Sequence, residues 1–209
     1  LNKKIIEKFK DGIMNKISYE IEQDDLCESP RECDNLGKMH CWHHRYELGD
    51  VQHYEDTGKE FYYELGGLER DSTWSVKEYE IHRNAALKRA DHDYIILPLY
   101  LYDHSGITMN TTGFSGECDS GQVGYIIASI EEIKKRFKWK VLTKTRRAAI
   151  IVRLKDEVDE YDMYLRGDVW FYTIRDENGE TLESCGGFFG RDICEREAKM
   201  ALRHHINKI

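Results

Sequence analysis

The sequence predicts an α+β fold, a single domain over 1–209 with a mainly antiparallel sheet packed by several helices. Three observations predict it. Alternating or β-rich runs such as YIILPLYLY coexist with helical stripes such as the one from Ile150 to Leu165. Neighbouring strand runs are joined by short polar turns, which favours antiparallel pairing. The chain has two prolines, no low-complexity linker and no repeat, so nothing marks a domain boundary.

Taken in order, residues 2–16 read as a helix, because Ile5, Ile6, Phe9, Ile13 and Ile17 share one stripe. Ser18–Gln23 alternates like an edge strand. An acidic segment follows, with Met39–His43 as a short strand inside it. Residues 51–75 are tyrosine-rich and irregular, broken at Gly66-Gly67. Ser75 with Glu78 is a capping box that opens a helix to about Ala90. Tyr94–Tyr102 is the strongest strand and pairs with Ile107–Thr112 through Asp103-His104-Ser105-Gly106. Asp at the first position and Gly at the fourth indicate a type I turn.

Gln122–Ala128 is a further strand. Ser129 with Glu132 caps a short helix through Phe137. Thr143 caps a longer one, striped by Ile150, Ile151, Leu154, Val158, Tyr161 and Leu165 and ended by Gly167. Asp168–Arg175 and Thr181–Phe188 form a hairpin through Asp176-Glu177-Asn178-Gly179. Asp192 with Glu195 caps the last helix, with Cys194, Ala198, Ala201, Leu202, Ile206 and Ile209 inward.

Hydrophobic residues are 40% of the chain and charged residues 33%. No apolar run approaches the roughly 20 residues that span a bilayer, so no membrane role is expected. The N-terminal pattern is broken by charges every few residues and does not read as a signal peptide, which implies a cytoplasmic location. The net charge of −8 is uneven: residues 1–80 hold nineteen acidic and eleven basic side chains, and the rest balances. Within the balanced part, Lys134–Lys155 has ten Lys/Arg and no Asp/Glu. Basic side chains interleaved with Phe137 and Trp139 can bind nucleic acid by phosphate contact and stacking. A solvated basic face reads the same way, and Phe137 also fits the inward stripe of its helix.

The six cysteines lie apart with no C-x-x-C pair, which favours free thiols over zinc or a disulfide framework. The stretch Asp24–Asp50 is the densest in candidate chemistry. Asp24, Asp25, Glu28, Glu32 and Asp34 offer carboxylates for a hard cation, or an acidic contact surface for a basic partner. The spacing is not that of an EF-hand. His40, His43 and His44 stand beside Asp50; imidazoles sharing a face can ligate a transition metal, and more commonly they hydrogen-bond within a polar site. Asp103, His104 and Ser105 are neighbours along the chain and so cannot form a nucleophile–base–orienter relay by themselves. The loop SGECDSGQVG (115–124) runs into a strand rather than a helix and so lacks a phosphate cradle. Strand pairing would bring Asp103, His104 and Asp119 to one region of the sheet.

Three blocks, SPRECDNLGKMHCWHHRYELGD, YLYDHSGITMNTTGFSGECDSGQVGYI and DVWFYTIRDENGETLESCGGFFG, resemble a family of hypothetical proteins of tailed bacteriophages and mobile elements. The resemblance covers most of the chain from about Ile21 to Glu197. The family pattern falls on Pro30, Arg31, Asp34, Asn35, Gly37, Cys41, His43, Arg45, Tyr46, Leu48, Gly49 and Asp50. It continues on Asp103–Gly106 and on Asp119, Ser120, Gly121 and Gly124. Cys33 stands where the family has an aromatic residue, and Gly186 where it has Trp. The resemblance implies a phage origin and action inside an infected host cell; it implies no enzyme class.

These readings give two main expectations. The first is a phage-encoded accessory protein that binds and inhibits a host component, for example a CRISPR, restriction or nucleotide-signalling defence factor (anti-CRISPR or anti-restriction type), with Asp24, Asp25, Glu28, Glu32 and Asp34 meeting a host protein. The second is a metal-dependent hydrolase of a nucleotide or nucleic acid. There His43, Asp103 and His104 are catalytic, and Asp50 and Asp119 hold a divalent cation such as Ca, Mg or Zn. A packaging-associated structural protein is a third possibility.

Overall fold

The computed structural model describes residues 4–10, 13–53, 61–68, 71, 73–115 and 119–208. They build an α+β fold of antiparallel sheets packed by helices, as expected. The strands divide between two sheets, and the chain clusters into two compact units, 1–32 with 160–209 and 33–159.

In the first unit, β1 (Lys4–Lys10) and β2 (Ile13–Gln23) form an antiparallel pair. This corrects the helix expected over 2–16. The register pairs Lys10 with Ile13, and the sequence between them is Asp11-Gly12, a dipeptide suited to two-residue hairpin loops. The apolar spacing there satisfies a helical stripe, but its β-branched residues serve a strand equally well. β2 is also not an edge strand: it lies between β1 and β8 (Val169–Arg175).

The strand β9 (Thr181–Phe189) completes the order β1-β2-β8-β9. The last helix of the chain, Arg191–Lys208, packs on this sheet through Cys194, Ala198 and Leu202 against Ile17, Tyr19, Ile21, Tyr172 and Ile174. Asp192 lies in its first turn rather than at its cap, and Ile209 is outside the described residues. At Gly186 a Cβ would sit 2.6 Å from an Asp24 carboxylate oxygen. Asp24 fills that place and accepts from the Gly187 N–H at 2.9 Å.

In the second unit the sheet order is β4 (Val51–Gln52), β3 (Lys38–Cys41), β7 (Ser120–Ser129), β5 (Tyr94–Asp103) and β6 (Ile107–Asn110). Only β3–β4 is parallel among the described pairs. The central strand β7 carries Gly124 opposite Cys41 and Leu99. A Cβ at Gly124 would lie 2.4 Å from the His40 carbonyl, so glycine is what lets β3 come this close.

Helix α1 (Phe61–Leu65) ends at Gly66-Gly67, and α2 (Val76–Asp93) opens on the expected Ser75–Glu78 capping box. Ser129 accepts from the Glu132 N–H to cap α3 (Ile130–Arg136). Helix α4 (Lys144–Leu165) buries Ile150, Leu154 and Val158, as its stripe predicts. It also buries Glu157, whose carboxylate accepts from the Leu36 and Gly37 N–H groups at 2.8 and 3.0 Å. The final helix is α5, and a short 3-10 helix spans Pro30–Glu32. No described helix is long and apolar enough to cross a membrane.

Candidate functional site

The site lies in the second unit, where β3, β5 and β7 end side by side. β3 is extended by one bond, Trp42 N–H to the Val123 carbonyl at 2.8 Å, and the chain then turns through 43–46. The His43 ring organises that turn: its Nδ1 accepts from the Arg45 and Tyr46 N–H groups at 3.3 and 3.2 Å. The ring also stacks on Tyr46, with centroids 5.0 Å apart. Two accepted bonds fix Nδ1 as the unprotonated nitrogen and leave the proton on Nε2. Burial, then the neighbouring His44 and Arg45, hold the His43 pKa below its ordinary value.

On the facing strands, Tyr102 pairs with Ser120, and the Asp103 N–H donates to the Asp119 carbonyl at 3.0 Å. The expected meeting of Asp103, His104 and Asp119 therefore takes place. The Asp103 carboxylate accepts from Arg45 Nη2 at 2.5 Å and from the Tyr46 hydroxyl at 3.3 Å. His104 Nδ1 lies 3.2 Å from an Asp119 carboxylate oxygen. The carboxylate accepts, so Nδ1 donates; in the neutral ring Nε2 then carries the lone pair.

The turn itself departs from type I: Ser105 has φ +58°, where the third residue of a type I turn has a negative φ. Gly116, Glu117 and Cys118 of the glycine-rich loop lie outside the described residues.

These elements enclose an open cavity of about 550 Å³, within the range of small-molecule sites. Trp42, His43, His44, Arg45 and His53 line it; Leu101 and Val123 supply apolar surface; Asp103, Asp119, Ser120 and Gln122 supply polar groups. Trp42 is braced edge-on by Tyr125, with centroids 5.5 Å apart. His53 Nε2 lies 3.1 Å from His40 Nδ1, and burial, then the neighbouring His53 and Lys38, bring the His40 pKa down to about 4.

Several expected site residues have other duties. The Asp50 carboxylate accepts from the Met39 N–H at 2.6 Å and fixes the β3 end; it does not line the cavity. Asp34 is held by both terminal nitrogens of Arg136. Asp25, Glu28 and Glu32 are exposed in the first unit, beside Leu26 at 92% exposure. The five acidic residues are thus split between the units, with Asp24 engaged at Gly187.

The donor set expected for a cation does not fit one. Asp50 and Asp119 do not share the cavity, Asp103 is engaged by Arg45 and Tyr46, and no group of three His, Cys, Asp or Glu among the described residues is placed to hold a metal. Among the described residues, Cys33, Cys185 and Cys194 are free thiols.

Trp42, Arg45, His53 and Glu157 were not among the expected site residues. Arg45 and Tyr46 follow His43 within three residues along the chain, which is a usable signal. His53 and Glu157 carry no signal that sequence spacing reveals. No family model matches the chain, and neither curated proteins nor solved structures give a match.

Proposed function

We propose that the protein is a phage-type accessory protein that acts by binding, with the cavity of the second unit as its site and a host signalling nucleotide as the captured component. The observation that carries this reading is the convergence of Arg45, Asp103 and Asp119, from two of the three blocks, on one cavity walled by Trp42. An aromatic wall suits a nucleobase. Arg45 is anchored through one terminal nitrogen, and its remaining donors, with His44, suit a phosphate. Asp119 and Ser120 suit ribose hydroxyls as acceptor and donor. Sequestering the nucleotide inhibits the host response that depends on it, and no bond need be broken.

Calorimetric titration of the full chain against mono-, di- and cyclic nucleotides tests this reading. The expected result is saturable binding that weakens about tenfold or more, roughly 1.4 kcal/mol, in Trp42→Ala and in Arg45→Ala. Absence of binding and of any thermal shift at millimolar nucleotide would refute it.

The His104–Asp119 pair favours one second reading, phosphoester hydrolysis at the same cavity. Its oriented imidazole has a lone pair to take a proton from an attacking water. Release of product by the wild-type chain, lost in His104→Gln while binding persists, distinguishes hydrolysis from capture.

A further inference from the structure

The basic segment Lys134–Lys155 takes no part in that cavity. Some of its ten cations have structural work: Arg136 holds Asp34 at 2.7 Å, and Arg153 lies 3.7 Å from Glu157. Lys134, Lys135 and Arg136 also sit in the last turn of α3, where cations complement the helix dipole. Arg146 and Arg147 donate to the Val141 and Tyr94 carbonyls at 2.8 and 3.4 Å. Those roles leave Lys138, Lys140, Lys144 and Lys155 without an explanation.

Lys134, Lys140 and Arg147 line a second cavity, of about 710 Å³, together with His92; Asp93 and Glu131 are its carboxylates. At the end of α3 the Phe137 and Trp139 rings stack with centroids 4.7 Å apart and 20° between planes. The Arg146 guanidinium lies over Trp139 at 4.6 Å. Phe137 is 36% exposed and nearby Val141 62%.

The backbone supplies an independent sign. Helix α3 closes with Trp139 N–H to the Lys134 carbonyl at 2.8 Å and Lys138 N–H to the Lys135 carbonyl at 3.3 Å. That pattern places a left-handed residue at Lys138, whose φ is +54°. Glycine is the residue that closes helices this way without strain. A lysine here keeps a cation at the chain reversal at a cost in stability, which is the behaviour of strained residues at working sites.

We propose that the surface from Lys134 to Arg147 binds single-stranded nucleic acid. Its phosphates enter the cavity lined by Lys134, Lys140 and Arg147, a base stacks on the Phe137–Trp139 pair, and Lys138 meets the backbone between them. The contacts are to phosphate and to π-faces, so DNA and RNA single strands are bound alike and a duplex, whose bases are already stacked, is bound less well. The acidic excess of the whole chain does not oppose this, because it is carried by residues 1–80.

Fluorescence anisotropy of the full chain with labelled oligothymidylate and oligouridylate, each at several salt concentrations, tests the proposal, with a duplex as the third probe. Both single strands are expected to bind, with a log–log salt slope of about −0.7 for each phosphate contacted. Phe137→Leu and Lys140→Ala are each expected to weaken binding about fivefold or more. Lys138→Gly is the decisive variant: it is expected to raise the melting temperature while weakening binding. No binding at low salt would overturn the proposal, as would a duplex bound as tightly as the single strands. A Lys138→Gly protein that is no more stable, or that binds as tightly as wild type, would overturn it too.

Discussion

The turns Asp103–Gly106 and Asp176–Gly179 share the pattern Asp-x-x-Gly, yet their aspartates do opposite things. Asp176 closes its own turn: one carboxylate oxygen accepts from the Asn178 and Glu180 N–H groups at 2.9 and 2.8 Å. The left-handed position falls on Gly179, with φ +85°. Asp103 instead reaches across the unit to Arg45 and Tyr46, and positive φ falls on Ser105 (+58°) as well as on Gly106 (+152°). A pattern that predicts a turn therefore does not predict where its carboxylate points. The local aspartate is a structural cap; the distant one joins two segments and shapes a cavity.

Glu157 marks the extreme of the distant kind, a buried carboxylate bonded to two N–H groups some 120 residues away. Glu157→Ala strands two backbone donors beside a cavity. It is expected to cost about 2–4 kcal/mol, the largest effect of any carboxylate considered. A urea melt measures it. A loss below about 1 kcal/mol would mean that reach across the chain is not what makes a carboxylate matter here.

The two turn aspartates give the direct contrast. Asp103→Ala releases Arg45 and Tyr46; because the Arg45 side chain is 59% exposed, solvent screening holds the stability loss to about 1–2 kcal/mol. Ligand binding at the cavity is expected to fall at least tenfold. Asp176→Ala removes a cap-like pair of bonds, with a loss of about 1 kcal/mol and no change in binding. Melting curves and titrations of both variants decide the matter, and equal effects on binding would erase the distinction.

Acid separates the Asp176 turn from the segment that Asp103 grips, residues 43–46. The His43 pKa lies below its ordinary value in the folded state, so the unfolded chain takes up a proton first as pH falls. Stability from His43 is complete above about pH 6.5 and is lost as pH drops toward its folded pKa. His40 behaves alike, over a window that runs down to about 4. Protonating His43 Nδ1 removes the acceptor for the Arg45 and Tyr46 N–H groups. Hydrogen exchange corrected for intrinsic pH dependence is expected to show those two amides losing protection below about pH 6.5. The Asn178 and Glu180 amides, which no imidazole accepts from, are expected to show no such step.

The helix caps at Ser75 and Ser129, the strand pair around Asp103 and the α4 stripe were legible because each is written in residues close along the chain. The N-terminal hairpin is not legible in the sequence, because its apolar residues satisfy both periods and only the dipeptide Asp11-Gly12 favours the hairpin. The site was half legible. His43, Asp103 and Asp119 stood out by type, but Arg45–Asp103 spans 58 positions and exists only once β3, β5 and β7 are aligned. Glu157 was hidden by its place in an apolar stripe, where a charged residue ordinarily faces water.

The smallest expected effect tests the backbone side of the contrast. Ser105 holds a left-handed φ that costs a non-glycine residue about 1–2 kcal/mol, while glycine gives back about 0.5–1 kcal/mol in chain entropy. Ser105→Gly is therefore expected to stabilise the chain slightly, by up to about 1 kcal/mol, read as a small rise in the melting temperature. Gly179→Ala, at a left-handed position already suited to glycine, is expected to shift it the other way by a similar amount. If Ser105→Gly destabilises instead, the serine side chain is holding its turn as Asp176 holds the other, and the two hairpins are closed by the same means after all.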